Sequence, residues 1–568
     1  MTLIRILDGL PVRRLAIVLG ALALTLTGAS GLSAQDPASG LVGTPPVIDT
    51  IIINRSNVFT PEEAESSFVF RAMNSVHIVT KETLIWNYLQ FEAGQPYDSA
   101  EVAESERQLR AKRLFRELSM DSVRLEDGRL ALVVDAQDGW SLKPKFSLSI
   151  ASNGDWTGAF GVNEINLLGR GNQLYVAYVK EIDRDGLNLT TDFDRLFGSE
   201  IDLLLNYAGL SDGSNGNWIL GQPFRNSEST RNLEWDGSSA DQDVFRYRNE
   251  LDPGGTTLDT TIYRREALVN NLTGALATRH STDDYLRFGV TAGVRLEQFL
   301  LSPVAGEVAD DSIYGTVGGW AEFSEIQFLQ LRRFNGFGTE DLDLSTTVRF
   351  TGTLAPDAFG WQGTGVGLGL KASGGRTAFQ NRGWAWSSIE ANYQWGGVAQ
   401  DSGRVIINLA AGFKPAERHA TAVQLQLGRL WNQKPGDEFD LGFTNAPRGW
   451  LAHSFVGNKM WWTTIEHRFY AVDGFLGLFG VGLGAFLDYG GAWYDDQKSR
   501  TGGSTGIGLR LGSALATVAM TSRMDLAYNF GSDFDNSGVD RWTFVLGSGF
   551  VFPRRTIPVI NYRAQAPP

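Results

Sequence analysis

The stretch LRFGVTAGVRLE, Leu286 to Glu297, places apolar side chains on even positions and polar or glycine residues on odd positions. Because a β-strand points successive side chains to opposite faces, the stretch predicts a strand with one apolar and one polar face. The same alternation occurs in VGLGLK (366–371), VQLQL (423–427) and IGLRLG (507–512). The chain is therefore expected to contain many strands whose two faces meet different environments.

Alternation leaves two folds open, a soluble sandwich with its apolar face inward and a membrane barrel with its apolar face toward lipid. Residues 141–552 comprise 412 residues (552 − 141 + 1), which is much chain for one sandwich. A spanning strand needs about 10 residues, so this region would supply roughly 12 to 18 strands. The aromatic residues Trp461, Trp462, Phe469 and Tyr470 near strand ends suit interfacial girdles. These features favour the barrel over a multi-domain secreted β-protein.

The N-terminus indicates export. Arginines precede the apolar run 15–27, and small residues follow, which is the order of a secretory signal over residues 1–34. A retained anchor helix is the alternative. No later stretch approaches 18 consecutive apolar residues, so a membrane-embedded body would have to be a closed β-barrel. Residues 35–46 are rich in Pro, Gly and Ser and are expected to form a linker.

Composition excludes several kinds of chemistry. The net charge of −14 and the pI near 5.0 give no support to nucleic-acid binding. The chain has no cysteine, so neither disulfides nor thiolate catalysis can occur. It has no Walker loop, and its 5 histidines are not paired at metal-ligand spacing. We therefore expect no enzyme activity, no cofactor and no metal.

Residues 47–140 have the pattern of a small α/β unit. Residues 47–54 form a strand candidate rich in β-branched residues. Asp98, followed three positions later by glutamate, resembles a capping box that opens a helix over 98–116. Residues 118–125 and 129–136 then predict a hairpin around an Asp-Gly turn. The order of strand, helices and hairpin is that of a separate soluble module.

Four motifs carry a resemblance to a known superfamily. FEAGQPYD (91–98), followed by ESERQLR (104–110), resembles the core of a POTRA domain. NLLGRGNQL (166–174) is similar to the glycine turn between early barrel strands of BamA/TamA-type outer-membrane assembly proteins. PRGW (447–450) resembles the Val-Arg-Gly-Phe/Tyr motif on the inward-folded sixth extracellular loop, and FLD (486–488) the Phe-x-Asp motif on the strand that receives it. The motifs occur in the expected order over nearly the whole chain.

The resemblance implies an α+β POTRA module (47–140) followed by a transmembrane antiparallel β-barrel of 16 strands (141–552) and a C-terminal tail (553–568). It makes the chain a short form of this bacterial surface antigen superfamily, with one POTRA domain.

The last alternating run, 542–552, resembles the C-terminal β-signal of outer-membrane barrels, with Gly547, Phe550 and Phe552 in the matching places. In most family members the aromatic residue is terminal, whereas sixteen residues follow here. An ordinary closing strand followed by a periplasmic tail is the alternative interpretation.

Side-chain parity predicts a partner for the arginine of the loop motif. In residues 458–469 the even positions are largely polar, so Glu466 faces the lumen. In residues 479–489 the odd positions are apolar, which leaves Asp488 and Phe486 luminal. An arginine can bind a carboxylate through two parallel hydrogen bonds, most strongly where water is scarce.

We therefore predict that Arg448 pairs with Asp488 and also reaches Glu466, which would hold the loop inside the barrel. Within the loop motif Pro447-Arg448-Gly449-Trp450, the glycine would permit close approach and Trp450 would pack in the lumen. The alternative is an ordinary exposed loop arginine.

By resemblance, the chain would insert or translocate polypeptides at the outer membrane of a Gram-negative-type bacterium, with its POTRA domain in the periplasm. A client strand would be received at the POTRA sheet edge and at the barrel seam, without a nucleotide. A secretion transporter of the two-partner type is one alternative, although residues 35–46 are too short and proline-rich for its plugging helix. A passive pore is the other. The expected partners are the lipid bilayer and client polypeptides, and the sequence identifies neither the client nor any accessory lipoprotein.

Overall fold

A computed structural model describes residues 45–150, 154–251, 258–301, 312–397, 401–432, 434–443, 445–475, 479–513, 521–531 and 538–555. The predicted signal peptide (1–34), the linker up to residue 44 and the tail from residue 556 lie outside the described residues. Within the described part of the chain, no helix is both long and apolar enough to cross a membrane.

The described part of the chain begins with an α/β module. Its elements are β1 (Ile48–Ser56), α1 (Pro61–Ser66), α2 (Phe68–Val76), α3 (Glu82–Trp86), α4 (Ser99–Ala111), β2 (Phe115–Arg124) and β3 (Leu130–Asp138). The strand order is β1-β3-β2, with β1 parallel and β2 antiparallel to the central β3. Both β1 and β2 are therefore edge strands of this sheet.

The predicted helix and hairpin are present in the module with shifted ends. The Asp98 side chain accepts a hydrogen bond from the backbone N–H of Ala100 at 2.7 Å and caps α4. The helix ends at Ala111, not at residue 116, because Arg113 adopts φ 59° and Phe115 already begins β2. The module buries its own apolar core, which includes Leu109 from α4.

Most of the other described residues form a closed antiparallel barrel of 20 strands. The wall strands are β4 (Leu142–Ile150), β5 (Trp156–Leu167), β6 (Asn172–Lys180), β7 (Asp185–Phe193), β8 (Asp202–Leu210), β9 (Gly213–Gln222), β10 (Arg231–Leu251), β11 (Leu258–His280), β12 (Asp284–Leu301), β13 (Ser312–Glu325), β16 (Thr346–Ala355), β17 (Gly365–Ala378), β18 (Gly383–Trp395), β19 (Ser402–Ala416), β20 (His419–Trp431), β23 (Lys459–Phe475), β24 (Phe479–Trp493), β25 (Gly502–Ser513), β26 (Ser522–Phe530) and β27 (Trp542–Ser548). The 16 strands implied by the resemblance are therefore wrong. The wall strands range from 7 to 23 residues. Dividing the chain length by a typical strand length therefore does not give the number of strands.

Two short hairpins lie inside the barrel and do not belong to the wall. One consists of β14 (Phe328–Arg332) and β15 (Thr339–Asp343), and the other of β21 (Phe439–Leu441) and β22 (Phe455–Gly457). The first follows β13, at the end of the barrel nearest to the α/β module, so we call it the lower hairpin. The second belongs to the loop 432–458 at the opposite end, which we call the upper loop.

Alternation of side chains is observed along the wall. In β23 the even positions from 460 to 470 are buried toward the lumen, and in β24 the even positions from 480 to 490 are buried. Trp462 and Tyr470 are therefore inside the barrel, each 1% exposed, and do not belong to an outer aromatic girdle as predicted. Both lie at even positions of β23, as Glu466 does, and their side chains pack in the apolar core of the lumen.

The module contacts the barrel at the turns nearest to it. The Nδ2 of Asn166, near the end of β5, donates to Thr80 Oγ1 at 2.9 Å. The Tyr88 hydroxyl donates to Asp194 Oδ2 at 2.8 Å, in the β7–β8 turn. From α4, Arg110 Nε donates to Asp341 Oδ2 of the lower hairpin at 2.8 Å. The module thus contacts both the wall and an element that enters the lumen.

Candidate functional site inside the barrel

The upper loop carries Arg448 into the lumen, where its side chain is fully buried. Its Nε donates to Asp488 Oδ2 at 2.7 Å and its Nη2 to Asp488 Oδ1 at 2.8 Å, which is a bidentate pair. Its Nη1 donates to Glu466 Oε2 at 2.8 Å, and the guanidinium lies 3.7 Å from the centre of the Phe486 ring. The structure thus places the sequence-predicted Arg448, Glu466, Phe486 and Asp488 in one cluster.

This pair belongs to a larger network on the inner wall. Arg468 Nε and Arg510 Nε both donate to Glu466 Oε1, at 2.8 and 3.1 Å. Arg510 Nη1 also donates to Asp525 Oδ1 at 2.6 Å. The network consists of four arginines and three carboxylates that are at most 3% exposed, namely Arg448, Arg468, Arg510, Arg523, Glu466, Asp488 and Asp525. A buried charge is stable only when it is paired, so the members of the network stabilise one another.

The residues beside Arg448 fit the wall closely. Gly449 has φ +85°, and a Cβ there would lie 2.7 Å from Asn529 Oδ1, so only glycine suits this position. Trp450 is fully buried and donates from Nε1 to the Gly503 carbonyl at 3.0 Å. A Cβ on Gly502 would come within 2.2 Å of its ring. The peptide bond before Pro447 is cis.

The same loop is held at its outer end by His453. Its Nδ1 lies 2.9 Å from Asp440 Oδ2, and its Nε2 lies 3.4 Å from Asp183 Oδ1 of the β6–β7 loop. The imidazole stacks on the Tyr247 ring at a centroid distance of 3.8 Å. Burial opposes the charged form, but the carboxylates of Asp440 and Asp183 outweigh it and raise the pKa of His453 to about 10.

We expect the upper loop to become more sensitive to protease as pH rises from 6.5 to 10. The pKa of His453 is higher in the folded protein than its ordinary value of 6.5, so its contribution is complete below pH 6.5 and is lost through about pH 10. Cleavage between residues 432 and 458 should accelerate by at least about tenfold over this range, since each pKa unit is worth a factor of ten. His453→Gln should cleave faster at pH 6.5 and show a flatter profile. Parallel profiles for both proteins would contradict the assignment.

The lower hairpin fills the lumen from the module side. Its tip places Phe337 against Tyr470 with ring centroids 5.1 Å apart, and Phe334 against Trp384 at 5.5 Å. Gly480 leaves space for the tip, since a Cβ there would lie 2.3 Å from the Phe337 ring. Both tip phenylalanines share one buried core with Trp450 of the upper loop. The two elements thus meet inside the barrel.

The C-terminal motif departs from its predicted position. Gly547 lies in β27, but this strand ends at Ser548, and Phe550 and Phe552 lie inside the lumen at 6% and 0% exposure. The prediction of one closing strand over 542–552 is therefore wrong. The reason is that side chains from the lower hairpin and the wall bind the backbone beyond Ser548, which a continued strand would have directed along the sheet.

Sequence reasoning missed the lower hairpin and the arginines around Glu466. The hairpin had a signal, because Asn335-Gly336 between two apolar runs is typical of a tight turn. Arg468 and Arg510 had one as well, since both have luminal parity in their strands. The spacing Gly-x-Ser-x-Gly at 502–506 was also missed. It lies within the continuous strand β25, whereas a nucleophile elbow requires a strand-to-helix turn, so Ser504 has no catalytic setting.

Among the described residues, no group of three or more His, Asp or Glu side chains is arranged to hold a metal ion. Where side chains of both signs meet in the lumen, they form ion pairs with one another. The arrangement is suited to holding loops and peptide segments inside the wall.

Comparison with known proteins gives similar barrels among solved structures. No family model matches the chain. No curated protein matches it either. CdiB from Escherichia coli is similar at a TM-score of 0.45 and 11% identity, covering 94% of this chain and 96% of that chain. CdiB from Acinetobacter baumannii gives 0.42 and 11%, covering 89% and 73%.

BamA from Haemophilus ducreyi lacking POTRA domains 1–3 gives a TM-score of 0.39 at 11% identity, covering 89% of this chain and 85% of that chain. All three TM-scores are below 0.5.

Proposed function

We propose that this chain is an outer-membrane β-barrel protein that inserts polypeptides into the membrane or translocates them across it. The observation that carries the proposal is the seam where the barrel closes. The closing strand β27 has seven residues and is the shortest strand of the wall. Opening a sheet costs backbone hydrogen bonds in proportion to the paired length, so the pairings of β27, which include the one that closes the barrel, are the easiest in the described wall to separate.

The way the barrel closes supports the same view. β27 and β4 are hydrogen-bonded neighbours that complete the wall, and their pairing is limited by the seven residues of β27. The chain leaves the wall after Ser548, so the lower part of β4 has no continuing partner strand from this end. An incoming strand could pair there by β-augmentation.

The α/β module is proposed to be a single POTRA domain in the periplasm. Its sheet has two edges, β1 and β2, which expose Ile52 (39%) and Val123 (42%) respectively. An edge strand presents unpaired backbone groups that can bind an extended client segment. Through the Arg110–Asp341 ion pair, the module would also sense or influence the lower hairpin.

The filled lumen disfavours a passive pore, because the upper loop and the lower hairpin occupy the space through which solutes would pass. A secretion transporter remains the second transport function. It differs from an insertase in the fate of the client, which would cross the membrane and not remain in it.

We expect client polypeptides to be captured at the seam in cells. A photo-reactive amino acid would replace Phe146 in β4 or Phe544 in β27, whose side chains face outward at 74% and 54% exposure. Adducts with nascent barrel proteins are expected at both positions. An insertase would give adducts with membrane-resident clients, and a secretion transporter would give adducts with a secreted polypeptide.

Leu368 in β17 is the matched control, because it also faces outward, at 55% exposure, but lies on the wall away from the seam. A photo-reactive residue at this position should give adducts with lipid and none with client polypeptides. Equal capture at Leu368 and at the seam, or no capture at any position, would argue against the proposed function.

A further inference from the structure

The segment Gly549–Arg554 occupies a defined groove inside the lumen. In β27 the outward residues Trp542 and Phe544 are 60% and 54% exposed, so a continued strand would also turn Phe550 and Phe552 outward. Instead both rings are buried in the barrel. The segment is therefore bound by the lumen as a peptide would be, and it is not part of the sheet.

Side chains bind the backbone of this segment at every second residue. Asn335 Nδ2 donates to the Phe552 carbonyl at 2.8 Å, and the Phe552 N–H donates to Asn335 Oδ1 at 2.7 Å. Gln424 makes the same reciprocal pair with Arg554, at 2.6 and 2.7 Å. Arg468 donates from Nη2 to the Phe550 carbonyl. Because these bonds reach only backbone atoms, they would hold any extended segment in the same way.

The side chains of the groove favour aromatic residues at alternate positions of the bound segment. The guanidinium carbons of Arg448 and Arg523 lie 4.7 and 5.0 Å from the centre of the Phe550 ring. The guanidinium of Arg468 lies 5.3 Å from the Phe552 ring. Cations over aromatic faces attract, and most strongly where water is excluded. The groove therefore favours a segment with the spacing Phe-x-Phe.

The chain's own segment is an imperfect occupant of this groove. Arg554 adds a positive charge to a site that already holds Arg523 of the wall and Arg448 of the upper loop, and the carboxylate of Asp488 opposes this repulsion. Its Nη2 donates to Asn445 Oδ1 at 2.7 Å, whereas its Nη1 is buried without a hydrogen-bond partner among the described residues. An unsatisfied buried donor weakens binding. A segment without an arginine at this position would fit better.

We propose that Asn335, Gln424 and Arg468 form an exchangeable peptide-binding site in the lumen. The chain's own residues 549–554 fill it, and an extended client segment with aromatic residues at alternate positions displaces them. The inference rests on the proposed function, in which the client is a polypeptide. It adds where inside the barrel such a client binds, which segment it displaces and which side chains recognise it.

The experiment uses the full-length chain in lipid nanodiscs and a fluorescein-labelled peptide, GSGFVFPRR, which copies residues 547–555. Binding is measured by fluorescence anisotropy. The double variant Phe550→Ala/Phe552→Ala should bind the peptide at least about tenfold more tightly than the wild type, because its own segment competes less. Adding Asn335→Ala and Gln424→Ala should remove this gain. A control peptide with alanine at both aromatic positions should bind weakly to all proteins.

Equal peptide affinity in the wild type and the double variant would overturn the proposal, as would a gain that survives loss of Asn335 and Gln424. Should the double variant fail to fold, Phe552→Cys in the otherwise wild-type chain provides a second measurement, because the chain has no other cysteine and the side chain at position 552 is fully buried in the groove. Excess unlabelled GSGFVFPRR should then accelerate maleimide labelling of this thiol. An unchanged labelling rate would also overturn the proposal.

Client capture at the seam and peptide exchange in the lumen can be lost independently of each other. Peptide exchange without client capture at Phe146 or Phe544 would contradict the proposed function and support the lumen site. Client capture without peptide exchange would support the function and contradict the site.

Discussion

Replacing Arg448 with alanine is expected to lower the free energy of unfolding by about 3–5 kcal/mol, the usual cost of removing one partner of a buried ion pair. Most of this loss of stability is expected because Asp488 would be left buried without an arginine partner. Glu466 keeps Arg468 and Arg510 as partners, whereas Asp488 keeps the Thr464 hydroxyl at 2.6 Å as its remaining described side-chain partner. The measurement is the urea concentration at which the barrel loses its compact electrophoretic migration.

Arg129→Ala is the control for this prediction, because its ion pairs are on the surface of the module and its side chain is 54% exposed. Surface pairs contribute about 0–1 kcal/mol, so this variant should resemble the wild type. Arg448→Lys should fall between the two, since lysine keeps the charge but cannot form two parallel hydrogen bonds. The double variant Arg448→Ala/Asp488→Ala should lose less stability than the sum of its single variants. Additive losses, or a loss no larger than that of Arg129→Ala, would show that the pair does not hold the loop.

Removing the tip of the lower hairpin is expected to open the barrel to ions. Barrels of 16–18 strands leave an aqueous channel and those of 22 strands need a plug, so a wall of 20 strands with an empty lumen should conduct. Replacing Arg333–Gly338 with a short Gly/Ser turn removes Phe334 and Phe337 from the lumen core. Single-channel conductance in planar lipid bilayers should rise by about tenfold or more.

A point substitution tests the same plug without changing the chain length. In Gly480→Val, the new side chain would clash with the Phe337 ring, which lies 2.3 Å from the position of a Cβ. This variant should also conduct more than the wild type. The control replaces Phe379–Arg382, a turn at the same end of the barrel whose Phe379 is 73% exposed outside the lumen. Unchanged conductance in both lumen variants would mean that the hairpin does not close the barrel.

The conductance and stability measurements together assign separate roles to the two inserted elements. Arg448 anchors the upper loop to β23 and β24, whereas the lower hairpin approaches from the module side. If each closes the lumen independently, Arg448→Ala alone should change stability more than conductance. A large conductance increase in that variant would show that the upper loop is the main barrier.

The sequence by itself determined which residues face the lumen of a wall strand. Alternation predicted Glu466 and Asp488 on the inner wall, and the structure places both within hydrogen-bond reach of Arg448. The reason is physical and local, because the two-residue period of a strand depends only on backbone geometry. The capped helix and the hairpin of the module followed from local signals in the same way, apart from their ends.

Only the tertiary structure decided the number of wall strands and the contents of the lumen. The Trp542–Phe552 run alternates like a strand, yet its last residues leave the sheet for contacts with Asn335, which is 217 positions away in the chain. Phe337 likewise finds Tyr470, although its own segment lies between two wall strands. Local patterns cannot report such pairings, because the energy that fixes them comes from burial and hydrogen bonds between distant segments. The sequence identified an inward face, and the closed wall determined what fills it.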